Sequence, residues 1–317
     1  MTGLAQSCLV GDGVLNVKKE AGWTSHDVVA KIRHLLGGVK MGHAGTLDPA
    51  ATGLLPVLIG KGTRLAEYLV NWDKEYRAVL RLGETTDTQD ATGTILKTAS
   101  TVNLTEESIR IAAAGFCGVI QQVPPMYSAV KVGGVPLYKS ARAGKAIERQ
   151  PRSVVIHDLA ILSVDGRDVT FRAVCSKGTY IRTLCADIGD ALSVGGHMLA
   201  LERTRVGPLT IAEALTVEEV ATEYGLGRLA AHVIPMDRAL KQLPAAVVDQ
   251  HTADRVRHGV PVPLDDVTTW LSEDMSCPIP GQPVRIRATD GALLALGRYP
   301  ASAGAPIAVE KVLMNQE

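Results

Sequence analysis

Short apolar runs alternate along the chain with Gly-, Pro- and Thr-rich breaks, and the spacing inside each run predicts its structure. Residues 13–20, "GVLNVKKE", read as a short strand. Val28, Val29, Ile32 and Leu35/Leu36 recur at helical spacing, so 24–38 reads as a helix capped by Thr24 or Ser25 and ended by Gly37-Gly38. After a Gly-rich stretch, 62–70 predicts a second helix with Thr63 as its cap. Tyr76, Ala78, Leu80 and Leu82 alternate, which predicts a strand over 74–83. Residues 85–95 are polar and turn-rich, and Thr105 with two acids opens a helix over 104–118. Pro124-Pro125 excludes a regular helix over 122–130. Paired strands over 153–165 and 168–178 follow, turned by "DGRD" (165–168). Next come a helix over 179–193, a strand over 197–207 and a helix over 216–225. Near Pro235 the texture changes to short strands, a small helix and tight Gly turns. This divides the chain into a first domain, 1–239, and a small β-rich domain, 240–317.

Composition adds limits. With 46% hydrophobic and 21% charged residues the chain reads as an ordinary globular protein. No apolar run reaches the roughly 18 residues of a membrane span, and no signal peptide is visible, so a cytoplasmic protein is expected. Cys8, Cys117, Cys175, Cys185 and Cys277 show no CxxC, and the histidines show no HxH or HxxxH, so neither a disulfide framework nor a metal is expected. Formal net charge is zero, which argues against a simple polyanion binder. Yet Lys131, Lys139, Arg142, Lys145, Arg149 and Arg152 crowd one segment against a single acid, Glu148. Such a run is either a solvated face or an arm that follows a nucleic-acid backbone.

Candidate chemistry centres on "GHAGTLDPAATGLL" (42–55), where one acid, Asp48, stands between Leu47 and Pro49. It reads either as a turn or cap residue or as a lone carboxylate placed for a reaction. Gly42, Gly45 and Gly53 permit close backbone approach to a ligand, and His43 and Thr46 add polar groups. "GTYIR" (178–182) puts Arg182 at the start of a helix, and a guanidinium is the natural partner of a buried carboxylate. No spacing rule brings the two together. "GKGT" (60–63) is not a phosphate loop, because Leu55 stands where that motif needs its first glycine. No G-x-S-x-G is present for a nucleophilic serine.

The segment His43 to Pro49, with Ala51 to Leu55 after it, resembles the catalytic motif of RNA pseudouridine synthases, and is most similar to the bacterial tRNA pseudouridine synthase B (TruB) family. Four more stretches resemble that family in the same order: 74–93, 122–144, 176–189 and 201–207. The resemblance covers roughly residues 12–210. It implies an α+β fold with a mixed, mainly antiparallel central sheet, flanked by helices and cleft around Asp48. The segment after it is similar, less sharply, to a PUA domain, a small RNA-binding β-barrel.

The implied reaction isomerises uridine 55 in the TΨC loop of tRNA. The N-glycosidic bond breaks and the ribose rejoins at base carbon five, with no metal or organic cofactor. Asp48 matches the nucleophile, Arg182 its partner, and Tyr76 the tyrosine that stacks on the uracil. Tyr180 matches a second tyrosine near the pocket and Leu201 an apolar wall. His43 matches a residue that fills the space left by the flipped base. The basic segment, about 124–152 with Lys131, Lys139, Arg142 and Lys145, matches an insertion that clamps the T arm. The resemblance also implies a monomer that needs no protein partner and no membrane. A non-catalytic tRNA-binding or folding factor is the alternative, since flipping and clamping residues would serve it too. A guide-RNA-dependent synthase is disfavoured because the chain has no long basic tail.

Overall fold

The computed structural model describes residues 10–128, 130–137, 140, 147–272 and 277–314. Its first strands are β1 (Gly13–Lys19), β2 (Met41–His43), β3 (Thr52–Ile59) and β4 (Lys74–Leu82). A small hairpin, β5 (Glu84–Thr86) and β6 (Ile95–Thr98), precedes β7 (Gly118–Gln122) and the short pair β8 (Lys131–Val132) and β9 (Val135–Pro136). Then come β10 (Arg152–Asp165), β11 (Asp168–Cys175), β12 (Gly196–Val206), β13 (Leu209–Thr210) and β14 (Val233–Pro235). Ten of these form one sheet in the order β14-β1-β3-β12-β4-β11-β10-β7, with β13 beside β12 and β2 beside β3. Only the β12–β3 pairing is parallel, so the sheet is mixed and mainly antiparallel, as expected.

Helices cover the sheet in two places. Helix Ser25–Leu35 lays Val28, Val29 and Ile32 on Leu15, Val17, Leu55 and Val57 of β1 and β3. Its cap is Thr24, whose hydroxyl accepts from Asp27 N while Asp27 reaches back, a full capping box. Helix Ile181–Ala191 packs Leu184 and Ile188 on Leu80 and Phe171 of β4 and β11. Thr105 caps helix Glu106–Ala114 as expected.

The structure adds one element and corrects one cap in this part of the chain. The sequence pattern assigns no element to the Gly-rich stretch after the first helix, yet its residues 52–59 form the interior strand β3. Its "LLPVLI" run is buried on both faces, so no alternation marks it, and its ladder lacks one donor at Pro56. Thr63 is not a helix cap. The helix opens as a tight turn at Gly60, and the Thr63 hydroxyl donates to Gly60 O at 2.8 Å.

The C-terminal strands are β15 (Ala245–Val248), β16 (Val267–Leu271), β17 (Pro283–Ala288), β18 (Leu293–Arg298) and β19 (Ala308–Val312). They pair as β16-β15-β17-β18-β19, an open sheet among the described residues, where a closed PUA-like barrel was expected. β16 and β19 stay unjoined, and helix Gln250–Arg257 packs against β17, β18 and β19 to cover the core of Val248, Val256, Ile286 and Leu294. A second core is shared with the large sheet: Leu293, Leu296 and Leu313 meet Leu65, Leu69 and Leu58. The Arg285 guanidinium, 7% exposed, bonds Asp237 Oδ1 at 3.0 Å and fixes the junction.

Gly53 carries a testable constraint. Its φ is +102°, and a Cβ there would collide with the Arg203 backbone on β12. Gly53→Ala is expected to destabilise the protein by about 1–3 kcal/mol. Urea unfolding measures this, and an unchanged midpoint would contradict the assigned backbone.

Candidate active site

Asp48 lies in the turn between β2 and β3, and this turn is fastened from the end of β1, the linker after it and the start of the first helix. Ser25 Oγ accepts from Leu47 N at 2.9 Å and donates to Leu47 O at 3.3 Å. Gly22 N donates to Pro49 O at 2.9 Å, and Lys19 Nζ donates to the same oxygen at 3.1 Å. Asp48 O accepts from Ala51 N at 3.1 Å, so the turn reading of this aspartate also holds. Gly45, with φ +95°, leaves room for the Arg203 guanidinium, 3.3 Å from where a Cβ would stand.

Arg182 arrives from the first turn of helix Ile181–Ala191. A cation there meets the positive end of the helix dipole, so the helix itself gains nothing from it. What it gains is Asp48: Arg182 Nε lies 3.0 Å from Asp48 Oδ2. The other nitrogens of the fork point Arg182 in place. Nη2 donates to Tyr127 O at 2.8 Å, and Nη1 lies 3.7 Å from Asp90 Oδ2. Asp90 is itself held, since its Oδ1 accepts from Thr88 Oγ1, Thr92 N and Thr92 Oγ1 at 2.6–2.9 Å.

The Asp48 side chain stays 38% exposed, so it is reachable, whereas that of Arg182 is only 6% exposed. Protein packed round the carboxyl raises its pKa above the ordinary value of 3.8, and nearby Asp90 adds to this. The charges of Arg182 and Lys19 oppose the rise. Lys19 is fully buried with its ammonium on three carbonyls, and burial pushes its pKa down to about 8.

A cavity of about 1160 Å³ opens before this pair, lined by Asp48, Asp90, Tyr76, Arg182, Lys177 and Arg152 among others. A smaller one of about 110 Å³ adjoins it, bounded by Asp48, Tyr76, Tyr180, Ile181, Arg182 and Leu201. Five of the expected site residues therefore meet round one small space, although Asp48, Tyr76, Tyr180 and Leu201 come from a turn, two strands and a helix start. Tyr180 is fixed by Gln122 of β7, which bonds both its N–H and its C=O, at 2.9 and 3.1 Å. His43 lines neither cavity. It sits half-buried on β2, and burial with the Arg203 charge holds it below the usual histidine range. Lys131 lies on β8, while Lys139, Arg142 and Lys145 fall outside the described residues. Among the described residues no cluster of three His, Cys, Asp or Glu side chains is placed to hold a metal ion.

Comparison with known proteins shows what this geometry belongs to. Residues 33–181 match the model of the TruB family pseudouridylate synthase N-terminal domain, and 182–241 match that of the tRNA pseudouridylate synthase B C-terminal domain. The chain is 50% identical to tRNA pseudouridine synthase B of Symbiobacterium thermophilum over 78% of its length and 82% of that protein's. It is 45% identical to the enzyme of that name from Thermobifida fusca, over 80% and 91%.

The chain belongs to the TruB family of pseudouridylate synthases.

It is thus an isomerase, with the pseudouridine synthase fold. A solved Cbf5-Nop10-Gar1 complex contains a chain that superposes on this TruB-family protein with a TM-score of 0.79 at 31% identity, covering 96% of this chain and 85% of the other. An H/ACA RNP bound to a substrate RNA containing 2′-deoxyuridine gives 0.76 at 29%, over 95% and 85%.

Four residues of this TruB-family site escaped the sequence reading. Asp90 lies inside a polar turn where acids are common, and only its contact with Arg182 marks it. Ser25 passed for a cap. Lys19 reads as an ordinary strand-end cation. Arg203, 1% exposed, faces Tyr76 across the β12–β4 ladder and bonds Leu54 O at 2.8 Å and Gly45 O at 3.0 Å. Its burial had no signal in a strand whose neighbours are also charged.

The electrostatics predict opposite shifts. If turnover needs ionised Asp48, the acid limb of the kcat/KM profile follows its pKa. Asp90→Asn removes a like charge and is expected to move that limb to lower pH. Arg182→Gln removes the counter-charge and is expected to move it to higher pH, with much lower activity. A pH–rate series on both variants checks this; two shifts of the same sign would contradict the assignment.

Proposed function

We propose that this protein isomerises uridine 55 in the TΨC loop of tRNA to pseudouridine, with Asp48 as nucleophile. The observation that carries the proposal is the Asp48–Arg182 pair at 3.0 Å, set at the mouth of a small cavity walled by Tyr76 and Leu201. The relatives named tRNA pseudouridine synthase B support tRNA as substrate.

In this reading the target nucleotide leaves its stack, at a cost of roughly a few kcal/mol, and the uracil enters the small cavity against the Tyr76 ring. His43 takes up the space it leaves. Asp48 attacks at the ribose or at the base and the glycosidic N–C bond breaks; the ribose carbon then bonds base carbon five and the bond to Asp48 breaks, which frees the carboxylate. The base nitrogen takes up a proton, and carbon five gives up its own to solvent by way of Tyr76. Arg182 keeps Asp48 charged in a site that burial would otherwise neutralise, and fixes the direction of its oxygens. Residues 124–152, with Lys131, Lys139, Arg142 and Lys145, clamp the T arm through phosphate contacts. Residues 240–317 form a small β-rich RNA-binding unit appended to the catalytic domain 1–239. The enzyme works as a cytoplasmic monomer. No helix of the described residues is long and apolar enough to cross a membrane.

Tritium release from tRNA labelled at uracil carbon five tests the proposal, with a tRNA lacking the target uridine as control. Wild type releases label only from the first. Asp48→Asn binds tRNA and releases none. Release by Asp48→Asn would remove the nucleophile assignment, and equal release from both tRNAs would remove the site.

A further inference from the structure

We infer that the Ser128 hydroxyl reads the sugar of the bound RNA, through a hydrogen bond to the 2′-hydroxyl of the target uridine or of a nucleotide next to it. This deepens the RNA-isomerase reading above and rests on it. Ser128 follows Tyr127, whose carbonyl accepts from Arg182 Nη2 at 2.8 Å. It therefore stands on the Arg182 side of the large cavity, which it lines together with Asp48, Thr88 and Asp90. The residue is 5% exposed, and its Oγ has no hydrogen-bond partner among the described residues.

Buried hydroxyls without a partner are rare because they forfeit their bonds to water and gain nothing in return. Three other hydroxyls that line this cavity are engaged. Thr88 and Thr92 donate to Asp90 Oδ1 at 2.7 and 2.6 Å, and Thr179 donates to Ser176 O at 2.9 Å. With no bond holding the Ser128 rotamer, a staggered turn about Cα–Cβ presents the oxygen to an arriving ligand.

Three nucleotide groups could take that oxygen. The uracil edge is disfavoured, since Ser128 is not among the residues round the small cavity. A phosphate is disfavoured by the flanking carboxylates of Asp48 and Asp90. The cations that suit a phosphate, Arg152 and Lys177, line the same cavity from the start of β10 and the loop after β11. A ribose hydroxyl is neutral, both donates and accepts, and lies between base and phosphate. It is also the group by which RNA differs from DNA.

The test uses a T-arm stem-loop made with ribose throughout, and versions with a single 2′-deoxy substitution at the target uridine or either neighbour. Wild-type tritium release on the all-ribose loop comes first. No release would overturn the isomerase reading and this inference together. Binding is then measured by fluorescence anisotropy. One deoxy loop is expected to bind wild type about three- to tenfold more weakly. Ser128→Ala is expected to bind the all-ribose loop more weakly by the same factor and to make no distinction between the two. Ser128→Thr keeps a hydroxyl and is expected to keep the distinction. If Ser128→Ala still discriminates, or binds every loop as wild type does, the inference alone is overturned. Thermal melting checks folding. Should Ser128→Ala melt early, the wild-type deoxy series decides, because no weakening at any of the three positions overturns the inference.

Discussion

A carboxylate in a closely packed site loses its charge unless a fixed counter-charge opposes the loss. The Asp48–Arg182 pair meets that requirement, and much of the architecture serves it. β3 carries Asp48 at its entrance, and Lys19 at the end of β1, Gly22 of the linker and Ser25 at the helix start fasten the turn. Helix Ile181–Ala191 brings Arg182 to meet it, and the Tyr127 carbonyl with Asp90 directs the rest of the fork. Breaking one partner of such a pair strands the other, at a cost of about 3–5 kcal/mol where burial is deep. The pair thus joins the turn, the helix and the two cavity walls into one unit.

Behind the pair lies a second layer of positive charge. Arg203 and Lys19 are almost wholly inaccessible, and Lys74 is 6% exposed with its ammonium on the carbonyls of Val70 and Trp72. Burial pushes Lys74, like Lys19, down to about 8. Arg203 contributes to lowering both lysines and His43, and it draws the Tyr76 phenol downward against the upward push of burial. A positively charged floor of this kind favours negative charge above it, whether on Asp48 or developing on a substrate.

How much of this can be read from the sequence depends on distance along the chain. Local signals are faithful: a cap at Thr24, one of the two candidates, the alternation that makes β4, the "DGRD" hairpin and the helix cap at Thr105 all appear where spacing puts them. Asp48 stands out because it is the only acid among Gly, Ala, Thr and Leu. Its partnership with Arg182 has no local trace, and only the ordered motifs of the family brought the two together. β3 is hidden because a strand buried on both faces shows no period, and its Gly53 and Pro56 imitate a loop. Arg203 and Ser128 are invisible because burial of a polar residue is decided by what packs over it. The C-terminal strands were legible as β structure, while the order in which they pair is set by contacts far apart in the chain that leave no local signal.

Burial makes Asp48 resist ionisation, and Arg182 holds it to the charged form. A carbon-13 NMR titration of the aspartate carboxyls in the intact protein tests this directly, with the Asp48 signal assigned by its absence in Asp48→Asn. The expected midpoint lies above the ordinary aspartate value of 3.8. A midpoint at or below that value would contradict it, since burial would then not be what governs the carboxyl.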